Sequence, residues 1–194
     1  MAKLNINQLC PDEQAALRSW RAMNANAKGH AFEAAIIMAL EKYKVEGIAV
    51  IDKTPEPFRV MHKARDGTFS GRFSSHDKAQ PDFTGTMRGG RSVMFEAKAT
   101  SGDRARRNLL TDRQMDLLEK HHRMGAITFV AVELNNRYYT VPWPIWRDMK
   151  RLFGWRYISE QALRPYEVPC RHYGVEVLYR ADKMEETRDK AERW

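Results

Sequence analysis

The strongest constraint on the fold comes from the segment Ser92–Lys98, whose side chains alternate as those of a β-strand do. One face of the predicted strand carries Val93, Phe95 and Ala97, and the opposite face carries Met94, Glu96 and Lys98. Two charged side chains on an otherwise apolar strand conflict with burial unless that face belongs to a polar site. We therefore predict that Glu96 and Lys98 are site residues.

A second acid, Asp82, follows Pro81 on what reads as the preceding strand. A divalent cation held by Asp82 and Glu96 would balance the two negative charges, and Lys98 would then orient or deprotonate a water molecule. This combination of two acids and a lysine suits metal-dependent cleavage of a phosphodiester. The spacing alone is a loose pattern, so its setting in the chain carries much of the weight.

The turn between the two predicted strands decides whether the acids meet. Its sequence, Arg88-Gly89-Gly90-Arg91, favours a hairpin. A two-residue Gly89-Gly90 turn would pair Asp82 with Ala97, on the wrong face. A three-residue loop that closes with Gly90 in the left-handed region would instead pair Asp82 with Glu96. The site therefore requires the three-residue loop or a bulge.

Length and charge limit the classes of protein to consider. The 194 residues fit a single domain, with a core of about 26–143 and a C-terminal extension of about 144–194. A formal net charge of +8 favours a polyanionic partner, although many basic proteins bind none. No apolar run approaches the roughly 18–20 residues of a membrane span, and the N-terminus has no apolar signal region. We expect nucleic acid as the partner, no membrane, and a cytoplasmic location.

Two helices are predicted before the first strand, over 12–23 and 29–44. The second has an apolar stripe made of Phe32, Ile36, Ala39, Leu40 and Tyr43. Glu33 lies at the edge of this stripe rather than on the outer face. From its position alone, Glu33 is either a partner of the helix dipole or a site residue directed at the sheet.

A buried strand is predicted at Ile48–Ile51, and the segment 54–80 that follows differs in kind. It mixes aromatic residues with basic ones, and Asp66-Gly67 is a hairpin signal between two partly alternating runs. We interpret it as a protruding basic ribbon; the alternative is a floppy surface loop. Its candidate DNA contacts are Arg59, Lys63, Arg65 and Arg72.

The rest of the predicted core follows the lysine strand. A basic loop, 100–107, offers Arg104, Arg106 and Arg107 as further DNA contacts. A helix begins near Thr111, where Gln114 has the spacing of a capping box. A buried strand at 126–132 and another at 138–143 complete an α/β core with a mixed sheet. Beyond it we predict a helix at 145–153, an edge strand at 172–179, and a frayed helix or disorder at 183–194.

With these residues placed, the chain resembles the PD-(D/E)xK nuclease superfamily, and within it the RecU Holliday junction resolvases. The resemblance spans about Asn26 to Trp143 and is carried by 29–33, 47–53, Asp82-Phe83-Thr84-Gly85, Phe95-Glu96-Ala97-Lys98-Ala99-Thr100 and the Gln114 helix. The predicted ribbon lies where such proteins carry a stalk that enters the junction. It is shorter than a typical stalk, as in a compact, diverged phage or mobile-element member.

The resemblance implies a restriction-endonuclease-like core with helices on both sides of the sheet. It implies an endonuclease that uses Mg²⁺, with Mn²⁺ as a substitute, and cuts four-way junctions symmetrically as a homodimer. The implied catalytic residues are Glu33, Asp82, Glu96, Lys98 and Gln114, of which Asp82, Glu96 and Glu33 would approach the metal. The alternatives are a repair or restriction-like nuclease acting on unbranched DNA, and a DNA-binding protein without catalysis.

Overall fold

A computed structural model describes residues 11–55, 58–73 and 80–181. Its helices are α1 (Pro11–Val45), α2 (Asp112–Arg123), α3 (Trp143–Arg147), α4 (Met149–Phe153) and α5 (Glu160–Leu163). Its strands are β1 (Ala49–Lys53), β2 (Phe58–Lys63), β3 (Phe69–Phe73), β4 (Phe83–Met87), β5 (Ser92–Thr100), β6 (Arg104–Arg106), β7 (Ile127–Leu134), β8 (Arg137–Pro142), β9 (Tyr157–Ser159), β10 (Glu167–Val168), β11 (Cys170–Arg171) and β12 (Gly174–Val175). Short 3-10 turns cover Arg107–Leu109 and Arg164–Tyr166.

The central sheet has six strands in the order β1-β4-β5-β7-β8-β10. Strands β5 and β7 run parallel, whereas the other neighbours in this sheet are antiparallel. The parallel pair is joined by α2, as a crossover connection requires. The predicted α/β fold with a mixed sheet and flanking helices is confirmed.

The two faces of the sheet carry different hydrophobic cores. On one face, Phe83, Phe95 and Phe129 stack with centroid distances of 4.7 and 4.4 Å and pack with the predicted stripe of α1. On the other face, Val130 and Val132 pack with residues of α2 and of the C-terminal extension. The alternation predicted for β5 is therefore correct, since its apolar face belongs to the α1 side.

Two expectations about the N-terminal part are wrong. The two predicted helices form the single helix α1, because the intervening Asn24-Ala25-Asn26-Ala27-Lys28 contains no proline and includes two alanines. The strand predicted as buried begins at Ala49 and, among the described strands, pairs with β4 alone, at an edge of the sheet. Val50 on this strand is 52% exposed, because Ala49 and Ile51 face the α1 side, whereas Val50 faces the opposite side, where the second core does not reach β1.

The C-terminal extension belongs to the same cores. Trp146, Ile158 and Leu163 are fully buried on the α2 side, and Val175 and Val177 pack on the α1 side. The strand predicted over 172–179 is wrong in extent, because only Gly174–Val175 is extended and paired there. Gly174 has a φ of 108° and approaches the α1 backbone at Ala35 and Ala39 too closely for a side chain. The prediction for 183–194 lies outside the described residues.

The basic ribbon is a hairpin of β2 and β3, which pair with each other and with no other described strand. Its turn is closed by Asp66, whose carboxylate accepts hydrogen bonds from the backbone N–H and the hydroxyl of Thr68. Gly67 takes a φ of 88°, which suits glycine. Residues 56–57 and 74–79, at the base of the predicted ribbon, lie outside the described residues.

Substitution of Gly85 should test the packing of β1 on β4. A Cβ atom at Gly85 would lie 2.5 Å from Ile51 Cα and would also overlap the carbonyl oxygen of Val50. Because the obstacle is backbone, we expect Gly85→Ala to lower the free energy of unfolding by about 2–4 kcal/mol. Gly29→Ala is the matched control: Gly29 is helical with open space around it, so we expect a gain of about 0.5–1 kcal/mol. Chemical denaturation measures both, and equal stabilities would contradict the packing described.

Candidate active site

The loop between β4 and β5 sets the register that the candidate site needs. Met87 and Arg91 are joined by a hydrogen bond from Met87 N to Arg91 O of 2.8 Å, which leaves Arg88, Gly89 and Gly90 as the loop. Gly90 has a φ of 88°, in the left-handed region. Phe83 pairs with Phe95, so the preceding Asp82 lies opposite Glu96. Of the two loops that the sequence left open, the structure has the three-residue loop, which gives the register that the site requires.

The acids lie at one end of the sheet, where the ribbon also begins. Strands β1, β5 and β7 share one direction, so their C-terminal ends lie together at this end. The chain leaves the sheet after Lys53 and returns at Asp82, and Thr54 N donates a hydrogen bond of 2.9 Å to Asp82 O. The ribbon and the acid pair are therefore anchored at the same place.

Lys98 bridges the two acids. Its Nζ lies 3.2 Å from Asp82 Oδ2 and 3.1 Å from Glu96 Oε2. Asp82 Oδ2 also accepts a hydrogen bond of 3.1 Å from the backbone N–H of Ala97. Glu96 is only 1% exposed, whereas Asp82 and Lys98 are half-buried. The arrangement holds two carboxyl groups and one ammonium group together at a site partly shielded from water.

The electrostatics separate the two carboxyl groups. Burial, followed by repulsion from Asp82, raises the pKa of Glu96 to about 8. Burial also acts to raise the pKa of Asp82, but Lys98 and hydrogen bonds from its neighbours outweigh burial and hold that pKa below its ordinary value. The pKa of Lys98 is raised despite burial, because both acids favour its charged form. Asp82 and Lys98 are thus charged at neutral pH, while Glu96 resists ionisation.

One carboxyl oxygen of this site lacks the hydrogen-bond donor that it would need if the carboxyl group were ionised. Glu96 Oε1 is buried and has no hydrogen-bond donor. Its acidic neighbour Asp82 can satisfy it only when a proton lies between the two groups. An oxygen of this kind fits a divalent cation, which would replace the proton.

The number of acids agrees with a metal whose ligands are supplied partly by the protein and partly by the substrate. Within 11–55, 58–73 and 80–181, no three His, Cys, Asp or Glu side chains come together as a metal site. Asp82 and Glu96 are a pair. Mg²⁺ is commonly bound by one or two carboxylates, with waters and substrate phosphates completing its octahedron. The donor set therefore fits Mg²⁺ or Mn²⁺ better than a zinc site closed by protein ligands.

Gln114 combines the two roles left open by its spacing. It closes the capping box of α2 with Thr111, whose backbone N–H donates a hydrogen bond of 3.0 Å to Gln114 Oε1. Because this bond occupies the oxygen, Nε2 faces the sheet and donates a hydrogen bond of 2.5 Å to Glu96 Oε2. The helix cap thus orients an amide that fixes the Glu96 carboxyl.

Glu33 is not part of the acid pair. Its Oε2 lies 2.6 Å from Lys53 Nζ, at the end of β1. Lys53 pairs with Phe83, whose ring belongs to the α1 side of the sheet, whereas Glu96 faces α2. Its assignment as a catalytic residue and metal ligand stays a prediction. No role for Lys53 was predicted, because a lysine at a strand end carries no distinguishing signal.

The predicted DNA contacts fall into two groups. On the ribbon, Lys63 and Arg65 are exposed, and the backbone pairs Arg59 with Arg72, whose side chains lie outside the described part. The second group, Arg104, Arg106 and Arg107, lines a cavity of about 480 Å³ together with Arg156 and Tyr157. The last two were missed, although the run Gly154-Trp155-Arg156-Tyr157 places a cation between two aromatic residues.

Comparison with known proteins gives one family and a structural likeness. The family described as RecU, recombination protein U, matches residues 27–164. Among proteins with curated descriptions, none matches the chain. Among solved structures, the chain is similar to Hjc of Archaeoglobus fulgidus, a Holliday junction resolvase from an archaeal hyperthermophile. That likeness has a TM-score of 0.45 at 17% identity and covers 71% of this chain and 93% of Hjc.

Proposed function

Because the chain belongs to the RecU family of Holliday junction resolvases, we propose that it cuts four-way DNA junctions by metal-dependent hydrolysis at Asp82, Glu96 and Lys98. The matched segment, 27–164, contains every residue of the candidate active site. The observation that carries the proposal is the bridging of two acids by Lys98 beside a buried carboxyl oxygen that has no donor.

Asp82 and Glu96 would hold Mg²⁺, with Mn²⁺ as a substitute. When bound, the metal lowers the pKa of an attacking water and stabilises charge on the scissile phosphate. Lys98, kept charged by its two acidic neighbours, stabilises the negative charge that develops on the phosphate oxygens. Gln114 holds Glu96 in one orientation through its amide. Glu33 forms an ion pair with Lys53 at the end of β1, and from there it would approach the metal or its water.

A junction must be cut on two strands of like polarity, and symmetry supplies the second site. A homodimer with a two-fold axis presents two identical active sites to two identical strands. We propose that the protein acts in this form. Sedimentation velocity at the concentration used for cleavage tests it, since a monomer at that concentration contradicts the symmetric mechanism.

The ribbon would direct the enzyme to branched DNA. It leaves the sheet at the acid pair, and its described tip exposes Lys63 and Arg65. Basic side chains there can contact phosphates at the open centre of a junction, independently of sequence. The other predicted contacts of the ribbon, Arg59 and Arg72, are opposite each other in its backbone register.

Within the residues described, no helix is long and apolar enough to cross a membrane.

Replacement of residues 58–73 by a short Gly-Ser linker should remove the preference for junctions. We expect Mn²⁺ affinity and the melting temperature to change little, because β2 and β3 pair with no other described strand. Competition of labelled four-way junction against linear duplex measures the preference. The control variant is Asp66→Asn, which changes one residue of the hairpin turn and keeps all basic side chains of the ribbon. A ribbon-deleted protein that still prefers junctions would contradict this role of the ribbon.

A further inference from the structure

A basic cavity lies between β6, the start of α2 and the C-terminal extension. Its volume is about 480 Å³, and four arginines line it: Arg104, Arg106, Arg107 and Arg156. Strand β6 pairs with β9, which brings the extension against the arginine-rich segment. Arg107 N donates a hydrogen bond of 2.9 Å to Arg156 O, so these two residues are held side by side. Asp112 is the one acid among the described lining residues.

Two of these guanidinium groups are uncompensated. Arg104 forms an ion pair of 2.5 Å with Asp103. In contrast, the side chains of Arg107 and Arg156 form no hydrogen bond or ion pair with any residue in the described part of the chain. Guanidinium groups that converge on a cavity without acidic partners favour a bound anion, and their planar geometry matches phosphate oxygens. The cavity is therefore suited to a phosphate group.

An aromatic platform adjoins the cavity. Tyr157 lines the cavity. The ring of Trp155 stacks on the ring of Tyr157 at a centroid distance of 5.9 Å and an interplanar angle of 18°. Arg104 covers Tyr157 at 4.6 Å from the ring centroid. Trp155 is nevertheless 62% exposed, which is unusual for so large an apolar side chain. Any of the four nucleobases can stack on such a ring, so this contact does not depend on the DNA sequence.

We infer that Arg107, Arg156 and Trp155 form a second DNA-contact site, which binds the backbone of one junction strand and stacks an unpaired base of that strand on Trp155. This inference rests on the proposed function. Asp112 and Met115 on the cavity wall belong to α2, and Gln114 of the same helical turn contacts Glu96. A strand held in the cavity therefore passes beside the candidate active site. The C-terminal extension would thus supply a part of the substrate site that the ribbon does not.

Binding in EDTA, where cleavage cannot occur, tests the phosphate contacts. The variant Arg107→Gln/Arg156→Gln should bind a labelled four-way junction more weakly. The slope of log affinity against log salt should become less steep by about 1.4–1.8, which is about 0.7–0.9 for each of the two lost phosphate contacts. The control Lys44→Gln/Arg164→Gln removes the same charge from exposed positions outside the cavity. It should leave the slope unchanged. Melting temperatures verify that each variant is folded.

The stacking contact is tested separately. Trp155→Ala should lower junction affinity roughly fivefold or more, the loss expected for one stacked base, without changing the salt slope. Trp155→Phe should recover most of the affinity, and linear duplex, which offers no unpaired base, should bind wild type and Trp155→Ala alike. A double-arginine variant with the wild-type slope, or full junction affinity in Trp155→Ala, overturns the inference and leaves the proposed function intact. A wild type that binds no junction overturns both.

A free nucleotide would offer the same phosphate and base. Calorimetric titration with a deoxynucleoside monophosphate separates this source from a DNA strand. We expect no binding that depends on Arg107 and Arg156 at concentrations where the junction is bound. If the monophosphate binds and the arginine variant loses it while junction affinity is unchanged, the cavity is a small-molecule site and the inference is wrong.

Discussion

Lys98→Ala is expected to lower the rate of junction cleavage by about 10²–10³-fold and to leave junction binding nearly unchanged. The ammonium group is held between Asp82 and Glu96, within 3.2 Å of both. In the proposed mechanism this charge stabilises the negative charge that develops on the phosphate, so its loss should remove stabilisation of the transition state. Single-turnover rates at saturating protein measure the effect on chemistry, and anisotropy of a labelled junction measures binding.

The control for this variant is Lys150→Ala, which removes an exposed lysine of α4. It should cleave at the wild-type rate. If Lys98→Ala also cleaves at that rate, Lys98 serves only to neutralise the acid pair. If Lys98→Ala loses junction binding instead, Lys98 is a phosphate contact rather than a group that acts in the chemical step.

Asp82→Asn is expected to lower Mn²⁺ affinity by at least about tenfold, because the number of charged ligands largely sets the affinity of a carboxylate site. Asparagine has almost the same shape and keeps an oxygen that can accept the hydrogen bonds of Ala97 N and Lys98 Nζ. The variant therefore removes charge while it preserves geometry. Calorimetric titration of the DNA-free protein with Mn²⁺ measures the change.

The matched control for Asp82→Asn is Asp52→Asn, which changes an exposed acid of β1 near the same end of the sheet. It should bind Mn²⁺ as the wild type does. Unchanged affinity in Asp82→Asn would show that Asp82 is not a ligand, and equal losses in both variants would indicate a diffuse electrostatic effect instead of a site.

The local parts of the site were predictable because each depends on a short pattern. The alternation of Ser92–Lys98 determines which side chains of β5 face α2, and the glycines after Arg88 place a hairpin between Asp82 and Glu96, although a two-residue turn and a three-residue loop both fitted them. These features need no knowledge of distant residues. The sequence left open whether Gln114 caps α2 or belongs to the site. The structure shows that it does both, because the oxygen of its amide closes the cap while the nitrogen donates to Glu96.

The remainder depends on tertiary packing, which short patterns do not encode. Nothing around Val50 in the sequence distinguishes an edge strand from a central one, since that depends on what lies beside the strand. The extension joins the sheet through β10, which is only two residues long. The buried tryptophans of α3, Trp143 and Trp146, are recognisable as apolar, but their place on the α2 side is set by residues far away in sequence.

The most direct test of the account is cleavage of a synthetic four-way junction with Mg²⁺, beside linear duplex and single strand of the same sequence. Both the wild type and Glu96→Gln should be assayed, with every strand end-labelled in turn. We predict paired nicks at symmetry-related positions on two strands of like polarity, only in the wild type and only when metal is present. Equal cutting of the linear duplex, unpaired nicks, or full activity in Glu96→Gln would contradict the account.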